Sequence, residues 1–522
     1  MNMFSRESLV KQIDTRPYWD VIILGGGATG LGIALDSATR GYATLLIEQA
    51  DFAKGTSSRS TKLVHGGVRY LAQGNIGLVR EALLERGLMR QNAPHLVHNQ
   101  SFIIPNYHWG NSLTYTLGLT IYDLLSGKHS LGKVRYIDKE ETLARLKTIT
   151  PERLQGGVLY HDGQFDDSRF AVNLAQTSIE NGAVVLNYFK ALGLLKKANG
   201  EITGVLACDE ESDATYELKS KVVFNATGVF ADHILKMDNP QANNTIRPSQ
   251  GVHLVLDQSF LPGKDAIMIP KTEDGRVLFI VPWKNKLIAG TTDTLVSEPR
   301  LEPVPLDEEI EFILSTVNKY LVKAVSRTDV HSLFAGLRPL ALSQRGTEKT
   351  KEISRSHKIM VSSSGLISIA GGKWTTYRKM AQDAIDKAIS IGKLPKRACL
   401  TATFRIHGAM DGLEASDPLS VYGADREKIQ ESIALFPELG KKLHPDLPYL
   451  WAEVRWAIRH EMARTLEDVL ARRLRGLFTD ARATIHVAPM VAGMLADELG
   501  KSADWQQQQV NAFTKMAVQY IL

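Results

Sequence analysis

Asp20-Val21-Ile22-Ile23-Leu24 is a nearly unbroken apolar run, the pattern of a parallel strand covered on both faces. Leu31, Ala34, Leu35 and Ala38 then recur at helical spacing up to Arg40-Gly41, a helix stop. Ala43 to Ile47 predicts a second strand, ending at Glu48. Together these make a βαβ unit. Further on, Lys221 to Gly228 predicts a strand running into a small-residue turn, which by itself is an ordinary strand end. Arg276 to Trp283 alternates as an antiparallel strand does. From about residue 400 the period becomes helical. Trp451 to Leu474 reads as one amphipathic helix, with Arg472, Arg473 and Arg475 at its C-terminal end, where cations suit the dipole. The oiliest stretch, Leu113 to Leu125, is broken by threonines, Tyr122 and Asp123, and is too short to span a membrane.

Composition narrows the class. With 522 residues, 44% apolar and 23% charged, the chain is ordinary globular protein of about three domains. Only 2 cysteines, Cys208 and Cys399, are present, which excludes a four-cysteine zinc or iron–sulfur site and a disulfide framework within this chain. No metal site is expected, and no nucleic-acid partner. Arg6, Glu7, Lys11, Asp14 and Arg16 interrupt any signal-peptide core, so a cytoplasmic location is expected. The net charge is +5, and the same excess sits between Lys54 and Arg90 alone. That cluster suits anionic ligands or an anionic surface; the plainer alternative is a solvated helix face.

The βαβ unit contains Gly25-x-Gly27-x-x-Gly30, with Gly26, Ala28 and Thr29 between. The first glycine permits a tight turn, the second a close approach to a pyrophosphate, and the third close packing of helix on strand. The helix N-terminus would meet the phosphates with its N–H groups and positive dipole. Glu48 stands where a carboxylate accepts from a ribose 2′-OH and repels a 2′-phosphate, which argues against NADP. No second fingerprint of this kind occurs, so one ADP-containing cofactor is expected, NAD or FAD.

The run Thr56-Ser57-Ser58-Arg59-Ser60-Thr61-Lys62-Leu63-Val64-His65-Gly66-Gly67-Val68-Arg69-Tyr70-Leu71 resembles the second flavin segment of FAD-dependent glycerol-3-phosphate dehydrogenases, members of the glycine/D-amino-acid oxidase group of flavoproteins. Four later stretches resemble that family in the same order: Asn225 to Gly228, Gly290 to Asp293, Gly336 to Leu340, and Gly371 to Arg378. The resemblance implies an α/β fold: a Rossmann-like FAD-binding domain of the glutathione-reductase, D-amino-acid-oxidase-like type, an antiparallel-sheet substrate domain, and a small C-terminal helical domain. The implied boundaries are 18–90, 150–235 and 335–390 for the discontinuous FAD domain, 91–149 and 236–334 for the substrate domain, and 400–522 for the helical one. It implies non-covalent FAD, held by Gly25, Gly27, Ala28, Thr29, Gly30 and Glu48. Thr56, Ser57, Ser58, Leu63, His65, Gly66 and Gly67, then Ala226 and Gly228, and Gly371, Gly372 and Thr375 complete that cradle. The Gly371-Gly372 pair would aim a helix dipole at the flavin N1/O2 edge; a plain turn is the alternative.

For the substrate, the resemblance implies sn-glycerol 3-phosphate, oxidised at C2 to dihydroxyacetone phosphate. Arg69, Tyr70, Arg338, Arg355 and Lys373 would surround it, arginine being suited to phosphate through bidentate charge-assisted bonds. Arg355 matches less distinctly and could be merely solvated. His253 is the candidate general base, although a histidine in a strand is more often structural. Lys373, or a hydroxide path beside an arginine such as Arg69, are rivals for that role. The family's anaerobic branch carries a cysteine-bound cluster and its mitochondrial branch calcium-binding loops. This sequence has too few cysteines for the first and no such loop after residue 400. The nearest resemblance is therefore the bacterial aerobic enzyme, peripherally attached to the inner face of the cell membrane and passing electrons to a quinone. A soluble oxidase using O2, an amine or amino-acid oxidase of the same group, and a flavoprotein without turnover stand as alternatives. A homodimer is left open. The basic cluster and the oily stretch Phe102 to Leu125 are the expected contacts with an anionic membrane; a buried substrate-domain segment is the alternative reading of the latter.

Overall fold

The computed structural model describes residues 3–72, 74–108, 111–342, 357–414 and 417–522. The predicted βαβ unit is present as strand Tyr18–Leu24, helix Ala28–Thr39 and strand Thr44–Ile47. Strand Tyr18–Leu24 pairs in parallel with Thr44–Ile47 on one side and Thr215–Asn225 on the other. Val184–Leu186 and Ile367–Ala370 extend the parallel order outward. Val21, Ile22 and Ile23 have no exposed surface because helices cover the sheet. Helix Ala28–Thr39 lies between helices Asp167–Glu180 and Tyr377–Ser390. A Cβ on Gly32 would fall 2.9 Å from the Tyr377 ring, so this glycine sets the close approach of the last pair.

A second, ten-stranded sheet is mostly antiparallel and runs from Thr294–Leu295 through Ile246–Asp257, Lys286–Gly290, Leu278–Trp283 and Ala266–Ile269. It continues through Val97–Asn106 and Gly156–Phe165 to Leu63–Val64. Val330–Ala341 pairs with Ile246–Asp257 along its length. Strands Leu63–Val64, Gly156–Phe165 and most of Val330–Ala341 thus lie in or across ranges expected for the FAD domain, yet they belong to this second sheet.

Two sequence expectations are corrected by the C-terminal region. Trp451 to Leu474 is not one helix: an α-helix covers Trp451–His460, and a short π-helix covers Asp468–Arg473. Met462 has φ 54° between them, and Asp468 Oδ2 accepts from the N–H groups of Arg464 and Thr465 at 2.8 and 3.0 Å. Local side-chain capping thus competes with helix continuation where apolar spacing alone predicted none. Nor do Arg472, Arg473 and Arg475 serve a helix dipole. Arg472 and Arg473 donate to Asp51 at 2.5 and 2.7 Å and hold that buried carboxyl well below the usual range. Arg475 donates to Ser58 O at 2.8 Å and Asp167 Oδ1 at 3.1 Å. All three tie the C-terminal helices to the loop after the second strand.

The stretch Phe102 to Leu125 also divides. Phe102, Ile103 and Ile104 are buried in strand Val97–Asn106, as the plainer alternative had it. Helix Asn111–Ser126 carries the remainder. Among the described residues, no helix is long and apolar enough to cross a membrane.

Candidate active site

A cleft of about 370 Å³ opens at the C-terminal ends of the parallel strands. Gly25, Gly27, Ala28, Thr29, Glu48, Thr56, Ser57, Ala226 and Gly228 line it, with Gly371, Gly372, Lys373 and Trp374 at its far end. The fingerprint glycines divide their work as their positions require. Gly25 has φ 109°, and a Cβ there would lie 2.7 Å from Ala226 O, in the turn after the neighbouring strand. A Cβ on Gly30 would lie 1.8 Å from Gly25 O, so Gly30 serves helix-on-strand contact and does not itself line the cleft. Gly27 is the helix N-cap in extended backbone.

The helix N-terminus is not wholly open, as the sequence reading assumed. Ala28 N donates to Ser57 Oγ at 2.9 Å. Glu48 lines the cleft, but its two oxygens already accept from Gly26 N at 2.6 Å and Ala50 N at 2.9 Å. Each carboxylate oxygen keeps further acceptor capacity. The cleft therefore suits an ADP-type group: glycine-lined phosphate space, an N-terminal helix dipole, and a carboxylate at the end of the second strand.

Two further cavities, each about 210 Å³, follow, one adjoining this cleft and the other adjoining the first. The first joins the cleft across Gly371, Gly372, Lys373 and Trp374 and reaches Thr61, Leu63, His65, His253, Arg338 and Thr375. The second is lined by Thr61, His65, Gly67, Tyr70, Asp162, Arg276, Thr291 and Arg338, with Phe102, Tyr160, Met268 and Phe279 as an apolar wall. A cradle this long fits a dinucleotide whose ring end meets a small polar substrate. Gly371 and Gly372 have φ 77° and 85°, backbone that only glycine adopts without strain, and the helical turn Trp374–Thr376 follows them.

Most expected residues come together. Lys373 Nζ stands 4.1 Å from the centroid of the Tyr70 ring. Arg338 Nη1 donates to Thr292 O at 3.0 Å and Gln250 O at 3.3 Å, and Nη2 to Thr291 Oγ1 at 3.0 Å. The guanidinium is thus fixed before any ligand arrives. His253 is 2% exposed, stacked 4.8 Å from Phe334, with Nε2 2.9 Å from Thr61 Oγ1. Burial first, then Lys62 and Arg338, pushes its imidazole well below the usual range. It is held neutral. Thr375 Oγ1 accepts from His65 N at 3.3 Å.

Some expectations are placed elsewhere. Ser58 is 1% exposed and lies behind the cleft, its carbonyl accepting from Lys62 Nζ at 2.7 Å and from Arg475. Gly66 lines none of the three cavities; its N–H donates to Tyr122 Oη at 2.6 Å. Arg69 sits on helix Val68–Ala72, and its side chain lies outside the description, as does all of Arg355. Thr61, Asp162, Arg276, Thr291 and Trp374 are among the polar or aromatic residues that line or brace the cavities and were not expected there. Asp162 follows the apolar Val158-Leu159-Tyr160 by two positions, beside His161, and carried no distinctive signal. Arg276 was counted only as part of a strand. Trp374 Nε1 donates to Ser57 O at 2.8 Å, a contact 317 positions apart that no local pattern reveals.

The sequence family described as "FAD dependent oxidoreductase" matches residues 20–378, and that described as "C-terminal domain of alpha-glycerophosphate oxidase" matches 363–509. A probable mitochondrial glycerol-3-phosphate dehydrogenase of Caenorhabditis elegans is 39% identical, covering 97% of this chain and 74% of its own length. A mitochondrial glycerol-3-phosphate dehydrogenase of Arabidopsis thaliana is 38% identical, covering 94% and 84% respectively. Among solved structures, the glycerol-3-phosphate dehydrogenase of Bacillus halodurans complexed with FAD superposes with a TM-score of 0.80 at 28% identity, covering 99% of this chain and 98% of that one. An L-alpha-glycerophosphate oxidase of Mycoplasma pneumoniae with FAD bound shares the fold, with a TM-score of 0.56 at 16% identity over 75% of this chain and 99% of that one. Matches of this extent across both the flavin-type cradle and the C-terminal helices place the chain in the FAD-dependent glycerol-3-phosphate dehydrogenase family.

Proposed function

We propose that this chain oxidises sn-glycerol 3-phosphate to dihydroxyacetone phosphate with non-covalent FAD, and that the electrons pass on to a membrane quinone. The unit around the parallel sheet is the FAD-binding domain in this reading, and the second sheet supplies the substrate side. One observation carries it: Arg338, His253 and Lys373 converge on one cavity that opens from the end of a dinucleotide-shaped cleft. FAD supplies a two-electron acceptor at that junction. Arg338 binds the phosphate, its fork preset by two backbone carbonyls and Thr291. Neutral His253 takes the C2 hydroxyl proton, and Lys373 holds positive charge near the developing alkoxide. The wall of Phe102, Tyr160, Met268 and Phe279 excludes water from the reacting carbon.

Anaerobic bleaching of the bound flavin by glycerol 3-phosphate is the direct test. Arg338→Ala should weaken glycerol 3-phosphate by about 10- to 150-fold, from roughly 1.5–3 kcal/mol for a hydrogen bond to a charged group. The loss should be much smaller for unphosphorylated glycerol, which never makes the contact. Equal losses for both in stopped-flow reduction would show that Arg338 does not hold the phosphate.

Of the two features expected to meet a membrane, the oily stretch offers an exposed surface and the basic cluster largely does not. Of the basic residues between Lys54 and Arg90, Arg59, Lys62 and Arg86 are buried against Glu302, Asp167 and Asp162, and Lys54 bridges Glu302 and Glu467. Arg80 and Arg90 are exposed. The cluster is therefore mostly internal. Helix Asn111–Ser126 instead presents an apolar stripe, Leu113 79%, Leu117 65%, Ile121 41% and Leu124 74% exposed. That stripe is suited to lying in a lipid interface, which a quinone-linked enzyme must reach. Vesicle flotation should show binding to neutral as well as anionic lipid. The double variant Leu117→Gln, Leu124→Gln should weaken it by about 100-fold or more, at roughly 1.5–3 kcal/mol for each leucine withdrawn. Absence of binding to either vesicle would favour the soluble oxidase, and competition between O2 and a quinone analogue for reoxidation decides the acceptor.

A further inference from the structure

Helix Asn111–Ser126 has a second face. Tyr122, 2% exposed, points inward from the side opposite the apolar stripe. Its Oη accepts from Gly66 N at 2.6 Å and donates to Asp162 Oδ2 at 2.9 Å. Asp162 in turn accepts from Arg86 Nη1 at 2.7 Å, and Arg86 Nη2 donates to Ser126 Oγ and His129 O, both at 3.1 Å. Three buried polar groups therefore connect the helix to the Gly66–Gly67 turn.

We propose that Tyr122 is a positioning residue that holds the Gly66–Gly67 turn in register with the reacting centre, braced by Asp162 and Arg86. The proposal rests on the flavin-dependent reading given above. Gly66 is closely packed between two helices: a Cβ there would fall 2.6 Å from Leu83 Cγ, on helix Ile76–Asn92, and 2.9 Å from Tyr122 Cε2. Gly67, the next residue, lines the second cavity and has φ 80°. A Cβ on Gly67 would lie 2.5 Å from the Tyr70 ring and 3.2 Å from Lys373 Nζ. A shift of the turn thus moves the backbone on which the Tyr70–Lys373 stack is set. Tyr122 itself lines none of the three cavities, so its effect passes through its partners, Gly66 and the cavity-lining Asp162.

The chemistry suits a fixed brace. A phenol can accept one N–H and donate one O–H at the same time, which neither phenylalanine nor a carboxylate can do. Burial and Asp162 keep the Tyr122 hydroxyl protonated, its pKa raised well above the usual range. Removing the oxygen leaves a buried N–H without its acceptor and a buried carboxylate without one donor.

Tyr122→Phe should bind FAD, because the ADP half of the cradle is untouched. Its flavin should be reduced by glycerol 3-phosphate about 10- to 100-fold more slowly at saturation, the scale of a small misplacement of reacting groups. The apparent affinity for glycerol 3-phosphate should change by less than about threefold, since Arg338 stays in place. The flavin absorption spectrum should shift. Met89→Ala is the control: Met89 is buried on helix Ile76–Asn92, which also carries Arg86, is 2% exposed, packs in the core around the parallel sheet and lines none of the three cavities. It should lose comparable thermal stability and keep a near-parental reduction rate. Arg86→Lys, which keeps the charge but loses the fork to Ser126 and His129, should show the same rate defect in milder form. It decides the question if Tyr122→Phe does not fold. Parental rates and spectrum in both Tyr122→Phe and Arg86→Lys, or an equally slow Met89→Ala, would overturn the proposal. A parent protein that glycerol 3-phosphate does not bleach would overturn the flavin reading along with it.

Discussion

Gly27→Val should purify as a folded but colourless protein. Gly27 caps helix Ala28–Thr39 with φ −84° and ψ −177°, extended backbone that valine adopts readily. The cost is therefore not conformational. A Cβ at this position already lies 3.1 Å from Ser57 Oγ, the group that accepts from Ala28 N. Valine adds two methyl groups beyond that Cβ, in the part of the cleft bounded by Gly25, Thr29 and Ser57. Either the Ser57 bond breaks or the pyrophosphate is excluded. Each 1.4 kcal/mol of such conflict lowers affinity tenfold; overpacking typically costs about 1–3 kcal/mol, and two methyl groups set against the phosphate space stand at the upper end, so flavin occupancy should fall below about a tenth. The visible-to-protein absorbance ratio and a thermal melt of the variant make the comparison. Full occupancy would remove the assignment of this cleft to the dinucleotide. Gly30→Ala is the contrasting case. Its Cβ would sit 1.8 Å from Gly25 O, backbone against backbone, and the protein should lose stability as well as flavin.

The contrast between these two glycines marks how far the sequence could be read. A nearly continuous apolar strand, a fingerprint and an acid at the next strand end are local signals, and each fell where it was expected: Tyr18–Leu24, Gly25 to Gly30, and Glu48 beside Ile47. The resemblance carried the rest of the cradle, because Gly371-Gly372 reaches Gly25 only through a parallel sheet that pairs strands some two hundred positions apart. What stayed hidden depends on side-chain partners distant in the chain. Lys62 looked like surface charge and is instead wholly buried on Asp167, close to the Trp283, Phe334 and Phe478 rings. Burial and Arg475 press its ammonium down to about 7 against the opposing pull of Asp167. Arg86 looked like a helix-face cation and holds Asp162 at the cavity wall. A basic residue on a helix reads the same in sequence whether it meets water or a buried carboxylate. The Trp451–Leu474 stretch failed for a related reason: Asp468 competes for backbone N–H groups that apolar spacing assigns to a continuous helix.

His253→Ala should slow flavin reduction by glycerol 3-phosphate by about 10²- to 10⁴-fold, the usual contribution of a general base, with a modest change in binding. His253 shares one cavity with Arg338, Lys373 and Thr61, and the Thr61 hydroxyl fixes the ring through Nε2. Its environment disfavours the imidazolium, first by burial and then by the nearby Lys62 and Arg338 charges. The sign follows directly. A histidine whose folded pKa lies below the ordinary 6.5 stays neutral, and so competent as a base, as pH falls through that value. The parent's reduction rate should therefore hold steady through pH 6.5 and decline only in more acid solution. Stability moves with it: the unfolded chain takes up the proton first, so this residue's contribution is lost as pH falls below 6.5 and is absent in the alanine variant. The rate deficit of His253→Ala should shrink as pH rises, when hydroxide or ionised alcohol replaces the missing base. A structural role makes a different forecast. His253 stacks on Phe334, and losing that contact would disturb the strand whatever the ring nitrogens do. His253→Gln separates the two, since an amide can still meet Thr61 but cannot take the proton. If glutamine restores the rate, the ring only holds Thr61 and Phe334 in place. If both variants reduce their flavin at the parental rate, the base lies elsewhere, and Lys373, 4.1 Å from the Tyr70 ring on the same cavity wall, is the next side chain to remove.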